Sequence, residues 1–290
     1  MDLLDAAIIG AGPAGISAAL TLKQRQKDFV LFGLGRVSNK VNAAPMIENY
    51  LGLPHISGQA LGEAFTRHMQ AMNISVTQER VTGVYALGSE FGIQTAGKLY
   101  RAKTVILACG VSLGKNLPGE RELLGKGVSY CATCDGALYR EKQVIVVGEY
   151  PEAEEDVGFL AGLTEHILYF PSYSQVGALP ESVKVCREKP RSIRKGERQL
   201  ELVTDQAAYP ADGIFPLRES VAAEQLVPGL HMEGAHAAVN LQMETNLPGC
   251  FACGDLAGKP YQYSKAAGQG TVAALSAVSY IARMEHEQKE

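Results

Sequence analysis

The apolar positions of the chain fall into short runs that stop at glycine. Asp5–Ile9 is such a run, halted by Gly10-Ala11-Gly12-Pro13-Ala14-Gly15 and followed by a small-residue helix to about Gln26. A second run, Phe29–Phe32, completes a strand–helix–strand unit. The pattern restarts at Val144–Val147, breaks at Gly148, and predicts a helix over Pro151–Leu163 and a strand over His166–Phe170. Between the two units lie β-rich segments at Val81–Leu87, Phe91–Thr95 and Thr104–Leu107. An apolar strand running into Cys250–Asp255, a Gly/Tyr-rich loop and a helix from about Ala266 to Glu287 close the chain. Such alternation predicts an α/β protein. We read two Rossmann-like, three-layer domains, the second inserted into the first: residues 1–114 with 236–290, and residues 115–235 between them.

Composition narrows the class. A chain of 290 residues, 46% of them apolar, can bury a sizeable core. The net charge of −4 argues against a nucleic-acid partner held by bulk electrostatics. Two uncharged runs, Ala6–Leu22 and Ala266–Ala282, fall short of the roughly 18–20 apolar residues of a spanning helix. The start MDLLD lacks the cationic opening of a signal peptide. A soluble, cytoplasmic protein with no membrane partner is expected. Six cysteines in such a chain point to redox or metal chemistry rather than to staples.

Gly10, Gly12 and Gly15 fit G-x-G-x-x-G between a strand and a helix. The first glycine permits the turn, the second lets the backbone approach a pyrophosphate, and the third packs helix on strand. The acid expected about 20 residues on is absent, since the second strand ends Phe32-Gly33. Cys131-Ala132-Thr133-Cys134-Asp135 is the chemical centre. Cys-x-x-Cys at a helix start brings two sulfurs within disulfide reach, and the helix dipole favours a thiolate. Asp135 is placed to move protons between thiolate and leaving thiol. Cys250 and Cys253 have the spacing of a zinc half-site, but in a strand they point to opposite faces, so no metal is expected. Cys109 and Cys186 read as core thiols.

Over nearly its whole length the chain resembles the low-molecular-weight thioredoxin reductases. The matching segments are Gly10–Gly15, Ile47–Gly52 with Ser57-Gly58, Leu107–Gly110, Leu117–Glu120, Cys131–Asp135, Met243–Thr245, Pro248–Asp255 and Ala266–Gly270. The resemblance implies a discontinuous FAD domain, a central domain carrying the disulfide, a homodimer, and thioredoxin as substrate. It implies that Cys134 faces the flavin, that Cys131 exchanges with the substrate disulfide, and that Asp135 is the acid/base. It also implies FAD positions at Gly10, Gly12, Pro13, Ala14, Gly15, Gly33, Lys40, Asn49, Val81, Cys109, Gly110, Gly254, Asp255, Gln262, Tyr263 and Ser264, with Asp255 on the ribityl chain.

The chain departs from that family where NADPH should bind. Gly148 is followed by Glu149 and Tyr150, so Tyr150 stands where a glycine would let the backbone reach the pyrophosphate. Glu152, Glu154, Glu155 and Asp156 crowd the next helix start, supplying anions where phosphates would sit. From Gln143 to Val183 there are seven acidic residues and no Lys or Arg. The pattern resembles the ferredoxin-dependent flavin thioredoxin reductases, which implies ferredoxin as electron donor. A plant-type ferredoxin near about −400 mV and a thioredoxin near about −270 mV leave roughly 6 kcal/mol for two electrons. The basic stretch Lys189–Lys195 with Arg198 could dock an acidic donor, or could be a solvated hairpin. Three alternatives stay open: an NADPH enzyme with a divergent site, a dithiol oxidase using O2, and a flavin sensor without turnover. The oxidase is disfavoured because no His lies within thirty residues of Cys134, the nearest being His166 and His68.

Overall fold

The computed structural model describes residues 3–35, 37–111, 116–130, 132–151, 153–218 and 223–287, without the side chains of Asn39 and Cys134. By its internal contacts the chain divides into two compact units, residues 1–112 with 222–290, and residues 113–221.

In the first unit, strand β1 (Leu3–Ile9) lies between β2 (Phe29–Phe32) and β5 (Leu99–Leu107), parallel to both. A strand with neighbours on each side reads as a continuous apolar run, and Ala6–Ile9 are all buried. β3 (Val81–Ala86) and β4 (Phe91–Thr95) extend the sheet antiparallel, giving the order β2-β1-β5-β4-β3. β5 is longer than the apolar Thr104–Leu107 predicts. Its first half, Leu99–Ala102, pairs with β4, and its alternating exposed and covered positions hide it from an apolar-run reading.

Helix α1 (Pro13–Gln24) takes Gly12 as N-cap and Pro13 at its first position, where the missing N–H costs nothing. Its small residues, Ala14, Ala18 and Ala19 among them, are buried because a second helix crosses them closely. The chain continues through the short α2 (Asn39–Asn42) and α3 (Gly58–Ala71), the latter capped by Ser57 Oγ accepting from Ala60 N–H at 3.2 Å.

The second unit opens with α4 (Ala132–Asp135). β6 (Val144–Gly148), β7 (Ile167–Pro171) and β8 (Val183–Val185) then form a parallel sheet. Helix α5 (Ala153–Ala161) crosses from β6 to β7, shorter at both ends than expected because Pro151 lies in a turn and Gly162 in the next. β9 (Pro190–Lys195), β10 (Leu200–Thr204) and β11 (Ala208–Ala211) make an antiparallel meander. Ile193, Leu200 and Leu202 of the meander share one core with Val128, Ile145 and Ile214. β12 (Gly213–Leu217) returns to pair with β6, for the order β12-β6-β7-β8.

The return to the first unit comes at 221/222 rather than near 236. Residues 223–235 belong with the first unit because α6 (Ala223–Leu226) packs on β3 and His231 N–H donates to Asn246 Oδ1 at 2.8 Å. A hairpin of β13 (Met232–Glu233) and β14 (His236–Ala237) follows, then β15 (Cys250–Ala252) beside the second half of β5. The last helix, α7 (Tyr263–Glu287), begins three residues before the apolar pattern does, with Ala266 N–H donating to Gln262 O at 2.9 Å. It is the helix that crosses α1: a Cβ on Gly270 would overlap the Ala14 carbonyl. Among the described residues no helix is long and apolar enough to cross a membrane.

Candidate functional site

The first unit brings the glycine loop, the β5 end and the 254–257 turn to one edge of its sheet. Gly10 has φ 115°, and a Cβ there would collide with the backbone of Ala108 and Cys109. A Cβ on Gly15 would overlap the Gly10 carbonyl, so helix and strand touch through bare backbone. Gly33 is closed in by Ala11 and Val76, at 2.7 and 3.0 Å from the place a Cβ would occupy. Gly12 differs from these: nothing lies nearer than Ser38 Cβ at 3.8 Å. Its turn opens α1 without a side-chain cap or an acid in the first turn, which leaves the N-terminal N–H groups for an anion.

Asp255 sits in a short turn, Gly254–Ala257, after Cys253. Burial raises its carboxyl above the ordinary aspartate value, while Lys265, Lys40 and His236 oppose the rise. Its carboxylate has no hydrogen-bond partner among the described residues. Lys265 holds the turn from α7, donating to Gly254 O at 2.7 Å and to Gly258 O at 2.5 Å. The loop before α7 is fastened at three points. Tyr261 Oη is 2.8 Å from His236 Nε2, Gln262 Oε1 accepts from Asn49 Nδ2 at 2.7 Å, and Tyr263 Oη donates to Lys40 O at 3.1 Å. Lys40 Nζ donates in turn to Val111 O at 3.1 Å. Ser264 is exposed in the first turn of α7. Val81 is buried at the start of β3. Gly110 has φ 70°, and Lys40 Nζ lies 3.9 Å from the place a Cβ would occupy.

The four cysteines whose thiols are described are free. Burial pushes Cys109 up to about 11 and Cys250 and Cys253 up to about 12, so none is a ready thiolate. No cluster of metal-ligating side chains occurs among the described residues.

In the second unit Cys131 and the Cys134 side chain lie outside the described residues. Cys134 and Asp135 belong to α4, and Asp135 Oδ2 accepts from Ser129 Oγ at 2.6 Å. The turn after β6 is closed by the chain itself. Tyr150, at the place of a second glycine, is 8% exposed and packs with Val146, Ala153, Val157 and Tyr169. Glu154, at the start of α5, accepts from Gly177 N–H at 3.0 Å and from Tyr173 Oη at 2.8 Å, and Tyr173 Oη is 2.5 Å from Tyr169 Oη. Glu149 accepts from Arg218 Nε at 2.8 Å. The other face of Arg218 grips Glu120 by two bonds of 2.6 and 2.8 Å, with Glu120 fully buried. Glu152 lies outside the described residues.

A family profile described as "Pyridine nucleotide-disulphide oxidoreductase" matches residues 4–149. The thioredoxin reductase of Helicobacter pylori is 31% identical over 96% of this chain and 99% of its own. The chain belongs to the thioredoxin reductase-like pyridine nucleotide-disulphide oxidoreductases. The Bacillus subtilis thioredoxin reductase is 29% identical, covering 99% of this chain and 98% of that one. A solved structure titled a ferredoxin-flavin thioredoxin reductase, from Clostridium acetobutylicum, is 47% identical with a TM-score of 0.92, covering 98% of this chain and 99% of that one.

This thioredoxin reductase-like chain is a flavin disulfide reductase, and FAD is its cofactor. The first unit fits that group: open space over Gly12 at a bare helix N-terminus suits a pyrophosphate, and the unpartnered Asp255 carboxylate suits a ligand rich in hydroxyls. The turn after β6 does not fit a second dinucleotide. A tyrosine stands at the place of backbone approach, and Glu154, Glu155 and Asp156 put carboxylates in the first turn of α5, where a phosphate would sit. Sequence reasoning missed Lys265, His236 and Tyr261. Lys265 had left a signal, since a cation in the first turn of a helix opposes the macrodipole.

Proposed function

We propose that the protein reduces the disulfide of thioredoxin with electrons from reduced ferredoxin, using FAD and the Cys131/Cys134 pair. The observation that carries it is the turn after β6, where Tyr150 stands in place of a glycine and Glu154, Glu155 and Asp156 set carboxylates in the first turn of α5. The likeness to the Clostridium acetobutylicum ferredoxin-flavin thioredoxin reductase supports the same donor. The reading carries with it a homodimer and a cytoplasmic location.

FAD, when bound, supplies the gathering of single electrons into a pair. Gly10, Gly12, Pro13, Ala14 and Gly15 would hold its pyrophosphate, Asp255 its ribityl chain, and Asn49, Gln262, Tyr263 and Ser264 the ring end. Gly33, Val81, Cys109 and Gly110 would line the remainder. Once the Cys131–Cys134 disulfide has received two electrons, the Cys131 thiolate attacks the thioredoxin disulfide and expels one thiolate. Asp135 gives that leaving sulfur its proton. Cys134 then attacks the mixed disulfide, which frees thioredoxin as a dithiol and restores the Cys131–Cys134 bond. Two electrons and two protons enter and one disulfide is reduced.

The test is anaerobic bleaching of the flavin band near about 450 nm, with NADPH, NADH or reduced ferredoxin in separate cuvettes. Bleaching by ferredoxin alone, followed by thioredoxin reduction that Cys131→Ser abolishes, is the expected result. Rapid bleaching by NADPH at micromolar levels would overturn it.

A further inference from the structure

Asp255 is flanked by basic side chains that do not bond to it among the described residues. Lys265, Lys40 and His236 all lower the proton affinity of its carboxyl. None of the three makes an ion pair with a carboxylate among the described residues. Lys265 is committed to the carbonyls of Gly254 and Gly258, and His236 to the hydroxyl of Tyr261. Among the described residues Lys40 Nζ bonds only Val111 O, and it stands 3.9 Å from the point a Cβ on Gly110 would occupy. The side chain is exposed, but its backbone is fixed by the Tyr263 hydroxyl. The ammonium therefore stands by Gly110, its charge reaches Asp255, and Tyr263 anchors its backbone; all three are positions given to FAD above, and the inference rests on that reading.

Lys40 and Lys265 stand against the one carboxylate among the described residues, so the cradle carries an excess positive charge. The pyrophosphate of FAD has the same charge in every oxidation state. The isoalloxazine ring does not: two electrons and one proton turn the neutral ring into an anion. A cation beside the ring separates the two states in energy, and charge placed there is a means by which a protein tunes its flavin. A ferredoxin delivers electrons without protons, so charge reaches the ring ahead of the solvent proton that follows it. We propose that Lys40 sets the reduction potential of the bound flavin by stabilising the negative charge of the reduced ring.

The experiment measures the flavin midpoint potential of FAD-loaded wild type, Lys40→Gln and Lys40→Arg by dye equilibration under enzymatic photochemistry-free reduction with xanthine oxidase. No ferredoxin is present, so the identity of the donor does not enter. A parallel fluorescence titration gives the affinity for oxidised FAD. In Lys40→Gln the reduced flavin should lose about tenfold in affinity relative to the oxidised form, a fall in potential of about 30 mV, with oxidised FAD bound within about threefold of wild type. Lys40→Arg keeps the charge and should restore the potential. Equal weakening of both oxidation states, or failure of Lys40→Gln to hold FAD while Lys40→Arg does, assigns the cation to the pyrophosphate and overturns the proposal. An unchanged potential with unchanged affinity overturns it as well. Failure of the ferredoxin reading would show separately, as bleaching of the wild type by NADPH.

Discussion

Ser129 donates its hydroxyl proton to the carboxylate of Asp135 across 2.6 Å, tying the segment before the cysteine pair to the residue just after it. The bond fixes where the carboxylate stands relative to α4. General acid–base catalysis contributes about 10²–10⁴-fold, and Asp135→Asn should cost the thioredoxin reduction rate that much. Ser129→Ala removes one hydrogen bond to a charged group and should cost about tenfold. Steady-state rates with equal FAD content check both.

Asp255 yields a prediction with opposite signs for stability and binding. Its carboxyl is raised above the ordinary 3.8 by burial, so between that value and its raised one the folded FAD-free protein binds more protons than the unfolded chain. Stability from this group is present below 3.8 and is lost as pH rises through the raised value. Asp255→Asn escapes that loss. Urea unfolding from pH 4 to 7 should show the FAD-free variant gaining on wild type as pH rises. The same variant should bind FAD about tenfold or more weakly, having lost a charged acceptor for the ligand's hydroxyls.

Arg218 and Glu120 are a buried pair, with Glu120 fully enclosed. Arg218→Met leaves that carboxylate without its partner and should cost about 3–5 kcal/mol in denaturant unfolding. Glu120→Leu combined with Arg218→Met removes both charges and should recover most of the loss.

The α1–α7 crossing depends on the absence of a side chain. Gly270→Ala drives a methyl into the Ala14 carbonyl. Overpacking of this kind costs about 1–3 kcal/mol. The melting temperature should fall, and FAD affinity with it, because Ala14 belongs to the glycine loop.

Much of the first unit was legible in the sequence, since its signals are local. Gly10–Gly15 between strand and helix, and Cys253–Asp255 after a strand, each carry their meaning within a few residues. The N-terminal half of β5 was not legible, because its exposed Leu99 and Arg101 break the apolar run that marks its other half. The return crossing was missed for a similar reason: Asn246 claims His231 from 15 residues away, and nothing in 223–235 announces it. Tyr150 and the acids around it gave away the altered turn after β6. Their partners did not show, since Arg218 is 69 residues from Glu149 and 98 from Glu120. The basic stretch lies where a solvated hairpin would put it. It forms β9 and the turn to β10, at the edge of the meander, and Arg194 is paired to Glu201 at 2.7 Å. Basic side chains on an edge strand also serve to discourage pairing with other chains.

The closed turn after β6 works as a ratchet. Opening it by Tyr150→Gly alone would leave a hole in the core that Tyr150 fills, while Glu154 still held the 177 amide. Glu154→Gly alone would take one partner from the Tyr173 hydroxyl and the carboxylate from the Gly177 N–H, with the tyrosine at 150 still in place. Each single reversal is a loss with no gain, and only changes made together would reopen a seat. The turn is kept in its present form by the arithmetic of its own mutations as well as by chemistry.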